Sequence, residues 1–191
     1  MSTTSVPSVA QLARAFAAVG DLVEGVRDEQ WSAPTPCTDW TVRDLVNHLV
    51  GMNLVFAALL SNEAPPERRA DRIGDDPIGV YRKSASVLIR AFEQPGVLEH
   101  NFQGPVGVAT GRDRLQVRLY DLLAHGWDLA QATGQPVELP NDLAEQSLAF
   151  ARVQLSTQPR TGRFEPAQPI SDDAPAIDRL AAFLGRSVST A

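Results

Sequence analysis

Cysteine is nearly absent: Cys37 is the only one in 191 residues. No internal disulfide can form, and no multi-cysteine zinc cluster can be built. A single thiol fits a reducing, cytoplasmic setting. Lysine is just as scarce, with Lys83 standing alone against 16 arginines, and the formal net charge is −6. That balance argues against a nucleic-acid partner, which needs a basic face. Long apolar runs are missing too. Leu54–Leu60 falls far short of the roughly 18–20 residues of a membrane span, so no membrane partner is expected. The first ten residues carry neither the basic nor the apolar stretch of a signal peptide. No internal repeat or low-complexity segment is present.

Period-two alternation is also lacking, and what is there is helical. A hydrophobic share of 43% in a chain of this length suits one full-sized domain over residues 1–191. Val9, Leu12, Phe16, Val19, Leu22 and Val26 recur at three- and four-residue steps, which predicts a helix over 8–26. A proline-broken loop follows from Trp31 to Asp39. Thr41 with Asp44 forms a capping-box signature. Leu45, His48, Met52, Val55 and Leu59 then mark an inward stripe of a second helix. Residues 61–76 read as a surface loop, and 77–93 as a third helix with Val80, Val87, Leu88 and Phe92 on its apolar side. Residues 94–111 hold four glycines and two prolines, a turn-rich connection with room for a small hairpin. A fourth helix is predicted over 112–133, stopped by Gly134, and a fifth over 141–156. The stretch 157–174 is irregular. Pro175 then opens a short last helix over 176–184, ended by Gly185. Long helices with one apolar side each must bury those sides together, so the expected fold is all-α, a four-helix bundle with short extra C-terminal helices.

Two of the three histidines fall on helices that line this core. Asp121 and His125 are four residues apart, so they leave one helix face within about 40° of each other. Arg118 lies about 20° from His125 on that face. A carboxylate and an imidazole so placed can chelate one cation. His48 from a facing helix would complete a two-histidine, one-carboxylate set with positions open for water and substrate. Such a set suits Zn, Ni, Fe or Mn, with no choice among them from sequence. From spacing alone, a buried core histidine and a helical Asp121–His125 ion pair account for the same residues. Arg118 reads equally as a contact for a substrate anion or as a surface ion pair. Asp128 could orient a ligand, but a solvated acid is the plainer reading. Cys37 reads as an inert loop thiol, His100 as a surface residue, and Trp31, Trp40 and Trp127 as core anchors or loop clamps. Asp44 belongs to the helix cap.

The segment Thr35-Pro-Cys-Thr-Asp-Trp-Thr-Val-Arg-Asp-Leu-Val-Asn-His-Leu-Val-Gly51 resembles the opening motif of the mycothiol-dependent maleylpyruvate isomerase N-terminal domain family, within the DinB/YfiT-like superfamily. Asp121-Leu-Leu-Ala-His-Gly-Trp-Asp-Leu-Ala-Gln-Ala-Thr-Gly134 is similar to its second signature. Phe164–Gly185 resembles the ending of small stand-alone actinobacterial members. The resemblance implies a bundle with a divalent metal, zinc foremost, on His48, Asp121 and His125. Asp121 stands where the isomerase has a glutamate, so this carboxylate is one methylene shorter. The isomerase carries a second domain that contributes to its active site. For this chain the resemblance therefore implies the broader chemistry, transfer or isomerisation of a small electrophile with mycothiol or a similar small thiol as cosubstrate. A non-catalytic metal-binding sensor or interaction module is the alternative. Self-association elsewhere in the superfamily leaves a homodimer open.

Overall fold

A computed structural model describes residues 7–37, 39–67, 70–104, 107–157, 160 and 164–188. The helices are α1 (Val9–Glu24), α2 (Val42–Leu60), α3 (Pro77–Phe92), α4 (Gly111–Thr133), α5 (Asn141–Thr157) and α6 (Ala176–Phe183). A single 3₁₀ turn at Asp28–Gln30 precedes the loop into α2. The first four helices start where side chains satisfy their free N–H groups. Ser8 and Gln11 close a capping box on α1, and Thr41 and Asp44 close one on α2. Asp76 caps α3 with Pro77 at its first position, and Thr110 caps α4. Gly134, at φ 66°, stops α4 in the left-handed conformation that glycine adopts without strain.

The four helices α1, α3, α2 and α4 pack in that order around a closed ring, and α5 and α6 cover the outer side of α4. The turn-rich connection folds as the hairpin the glycines allow. Strand β1 (Asn101–Gly104) pairs antiparallel with β2 (Gly107–Thr110), with Phe102 opposite Ala109. Buried Arg114 donates to Phe102 O and Gly107 O and ties this hairpin to α4. Gly126 on α4 meets α1 closely: a Cβ there would lie 2.8 Å from Val19 Cγ2.

Helix α2 is apolar nearly all round, and by length and composition alone it could cross a membrane. Here half of its most apolar window is buried in the bundle. The buried face of α2 runs through Leu45, Leu49, Asn53, Phe56 and Leu60, so the expected stripe is rotated. His48, Met52, Val55 and Leu59 lie on the half-buried flank instead. Asn53, a polar side chain, occupies the middle of the buried face. Its Nδ2 donates to Ser84 Oγ on α3 at 2.9 Å, and Ser84 Oγ donates on to Tyr81 O at 2.8 Å. On α4 the reverse holds. Arg118, His125 and Asp128 are all buried in a helix with weak apolar periodicity: Arg118 and His125 face Leu49, Asn53 and His48 of α2, while α5 and α6 bond Tyr120 and Trp127 on the outer side.

Candidate metal centre

The site is assembled from α2, α4, the loop before α2 and the chain end beyond α6. In the loop, Thr35 N–H donates to Trp40 O and Val42 N–H to Ala33 O. The Thr35 hydroxyl also donates to Trp40 O, and Arg43 N–H donates to Trp31 O. These crossing bonds fold the proline-broken segment back on itself, with Asp39 at φ 65° taking a left-handed turn that aspartate tolerates. The fold-back lays the Trp40 ring beside both imidazoles, 4.6 Å from His48 and 5.8 Å from His125 between centroids.

His48, Asp121 and His125 come together as the spacing predicts. One potential ligand atom from each lies within 4.8 Å of the other two. His125 Nε2 is 3.5 Å from Asp121 Oδ1, and the two imidazole rings are 4.8 Å apart. His48 Nε2 is buried without a hydrogen-bond partner among the described residues. A buried ring nitrogen with no partner forfeits a hydrogen bond it would make in water. A divalent ion shared with Asp121 Oδ1 and His125 Nε2 would satisfy it, and this donor set fits such an ion.

Each ligand has a defined orientation. Asp121 Oδ2 accepts from Arg118 Nη1 at 2.5 Å, leaving Oδ1 to face His125. His125 Nδ1 lies 3.0 Å from Asp128 Oδ2, so the neutral ring carries its proton on Nδ1 and turns Nε2 toward Asp121. Asp128 is held in turn by Arg186, through Nε to Oδ1 at 3.1 Å and Nη2 to Oδ2 at 2.8 Å.

The charges follow this arrangement. Burial lowers the His48 imidazole to about 4, so it is neutral at pH 7. Burial would lower His125 as well, but the Asp121 carboxylate and the hydrogen bonds to Asp121 and Asp128 outweigh it. In the metal-free chain they hold His125 well above its ordinary value. Burial works to raise Asp121 and Asp128, and their cationic partners overcome it. His125 and Arg118 hold Asp121 well below the usual carboxylate range, while His125 and Arg186 do the same for Asp128.

Arg118 is not placed to hold a substrate anion. Its side chain is 0% exposed, and its guanidinium donates to Asn53 Oδ1 through Nε and Nη2, to Leu49 O and to Asp121 Oδ2. It is the cationic centre of a buried polar network. Asp128, read as a solvated acid, is fully buried. Cys37, read as inert, reaches the same cluster. Its thiol donates to Asp128 Oδ2 at 3.1 Å and lies 3.6 Å from His125 Nδ1. Asp44 caps α2, and His100 is exposed with its ring edge-on to Phe102, both as expected. Trp127 is a core anchor whose Nε1 donates to Asp178 on α6 at 2.7 Å. Sequence patterning missed Arg186 altogether, since it follows the last helix and no periodicity connects it to α4.

Comparison with known proteins places this geometry. Residues 12–130 match the mycothiol maleylpyruvate isomerase N-terminal domain, well over half of the chain. The chain belongs to that family. The matched segment holds His48, Asp121, His125 and Asp128, and leaves Arg186 outside. An uncharacterized protein of Mycobacterium tuberculosis, found in two strains, is 37% identical over 177 residues, covering 92% of this chain and 95% of its own length. The crystal structure of the mycothiol-dependent maleylpyruvate isomerase superposes with a TM-score of 0.62 at 17% identity, covering 78% of this chain and 71% of that one. A histidine-to-alanine mutant of that isomerase superposes at 0.63 and 17% identity, covering 87% and 77%. These superpositions establish the helical DinB-like fold.

Proposed function

We propose that this protein binds one divalent metal ion, zinc foremost, through His48 Nε2, Asp121 Oδ1 and His125 Nε2, and uses mycothiol in transfer or isomerisation of a small electrophile. The observation that carries the reading is the convergence of His48, Asp121 and His125, together with a buried His48 Nε2 that has no hydrogen-bond partner among the described residues. Family membership supplies the thiol. A bound divalent ion would contribute Lewis acidity, which lowers the pKa of a thiol brought beside it.

The rest is the work of this chain's side chains. Burial keeps His48 neutral, so its lone pair is free at neutral pH without losing a proton first. Asp128 fixes the His125 tautomer, and Arg118 turns the Asp121 carboxylate. Trp40 lies against both imidazoles and keeps water from their faces, which strengthens electrostatic interactions there. The protein contributes three ligands, which leaves positions for a thiol sulfur and for substrate.

The test is metal content by mass spectrometry on untagged protein, followed by turnover of electrophiles with mycothiol. The wild-type chain should carry about one ion per chain and show thiol-dependent turnover. His48→Ala should stay folded and lose both. Equal turnover by the two proteins would overturn the catalytic reading. Stoichiometric metal without any turnover would favour a non-catalytic metal-binding module.

A further inference from the structure

We propose that Arg186 is a positioning residue for the metal-binding histidine, so that the C-terminal segment, outside the matched family region, completes the site. The proposal rests on the metal-binding reading above. Its basis is how the chain end is built. Helix α6 is docked on α4 by the Trp127 Nε1 bond to Asp178. It ends in a Schellman motif, with Arg186 N–H donating to Ala181 O and Gly185 N–H to Ala182 O. Gly185 sits at φ 97°, and a Cβ there would lie 2.9 Å from Glu165 O, so only glycine makes this turn without strain. The turn carries the Arg186 side chain back to Asp128.

The guanidinium is held in that position by most of its N–H groups. Nε and Nη2 grip both oxygens of Asp128, Nη2 also approaches Cys37 Sγ at 3.7 Å, and Nη1 donates to Leu184 O. Of five N–H groups, four are used, so the group acts through Asp128 and not as a substrate contact. Asp128 is 0% exposed and would be a costly buried charge without it. Held by the fork, its Oδ2 accepts from His125 Nδ1 and aims the opposite ring nitrogen at Asp121 and His48. Cys37, His125 Nδ1 and Asp128 also converge closely enough to suggest a second cation position. Arg186 argues against one, because its own positive charge already lies on those atoms.

The experiment measures zinc affinity by competition with a chromophoric chelator for the full chain and for Arg186→Ala, Arg186→Gln, Asp128→Asn and the Arg186→Ala/Asp128→Asn double variant. Arg179→Ala serves as the control, because it removes a different α6 anchor, the ion pair to Glu145, without reaching the site. Losing the Asp128 relay should weaken zinc binding about 10–100-fold. Arg186→Ala and Arg186→Gln should each show a loss in that range, and the double variant should lose no more than Asp128→Asn alone. Arg179→Ala should bind as wild type. A parallel nitrogen spectrum of the histidine rings, read on the metal-free chain, should show the His125 Nδ1 signal moving in both Arg186 variants. Wild-type zinc affinity in the Arg186 variants, additive losses in the double variant, or an equal loss in Arg179→Ala would each overturn the proposal. A wild-type chain that takes up no zinc would overturn the metal reading instead, and the ring-nitrogen signals would then decide the relay.

Discussion

Arg118→Met keeps a long stem in place and removes the guanidinium. The structure sets the size of the loss. Four donated bonds disappear, two of them to Asn53 Oδ1, which lies in a fully buried side chain and is left with no other donor among the described residues. An unsatisfied buried acceptor of this kind costs about 1–3 kcal/mol. Asp121 also loses one of its two cationic partners, with His125 remaining beside Oδ1. Removing one partner of a fully buried pair costs about 3–5 kcal/mol. The Asp121 side chain retains 20% of its surface, so water compensates part of that loss. Together these set the expected destabilisation at about 3–4 kcal/mol, a large share of the 5–15 kcal/mol that holds a typical domain. For a chain of this size the melting temperature should fall by about 6–16 °C. The assay is urea and thermal unfolding with chelator present, so that metal linkage does not enter. Adding Asn53→Leu should cost less than the sum of the single changes, since the two side chains share one network. A folded Arg118→Met protein within about 1 kcal/mol of wild type would refute the reasoning and return Arg118 to a role at the surface of the site.

Three further outcomes follow from the structure. Metal uptake at neutral pH must expel the proton that Asp121 and Asp128 help His125 to retain, whereas His48, with its value near 4, has none to lose. Zinc affinity should therefore rise with pH, by up to about tenfold per unit, until the pH passes the raised His125 value, with proton release per ion that calorimetry in two buffers can show. In the metal-free chain the raised His125 value has the opposite consequence. Its contribution to stability is full below about pH 6.5 and fades as pH climbs through the folded value, so urea midpoints should fall toward alkaline pH. Gly126→Ala sets a clash with Val19 Cγ2 of about 1–3 kcal/mol against a helix-propensity gain of about 1 kcal/mol. It should lower stability in the wild-type chain and cost less in a Val19→Ala background, where only Leu139 Cδ1 at 3.3 Å stays tight, and an equal loss in both backgrounds would contradict the close approach of α1.

The helix order and the three ligand candidates were legible in the sequence because caps, glycine stops and i, i+4 spacing are local signals. The face of α2 was not, because a helix that is apolar on every side gives periodicity nothing to choose between. The buried face turned out to be marked by Asn53, the residue a hydrophobic pattern would place outside. For α4, Arg118 and His125 face inward toward Asn53 and His48 of α2, and no local pattern announces that. Cys37 and Arg186 lie 91 and 58 residues from Asp128, and only the folded chain brings them together.

From Tyr81 O on α3 through Ser84, Asn53 and Arg118 to the Asp121 carboxylate, the bundle is crossed by one unbroken series of directional bonds. Greasy helix faces can slide past one another by small steps at little cost, whereas a bond with a preferred angle indexes each helix against the next. Ser84 sits on a helix that contributes no ligand atom, yet it belongs to the mounting that holds Asp121 at its bearing. Alignment of the candidate ligands is thus set by the whole bundle, and a loosened α3 would be felt as a misaimed carboxylate on α4.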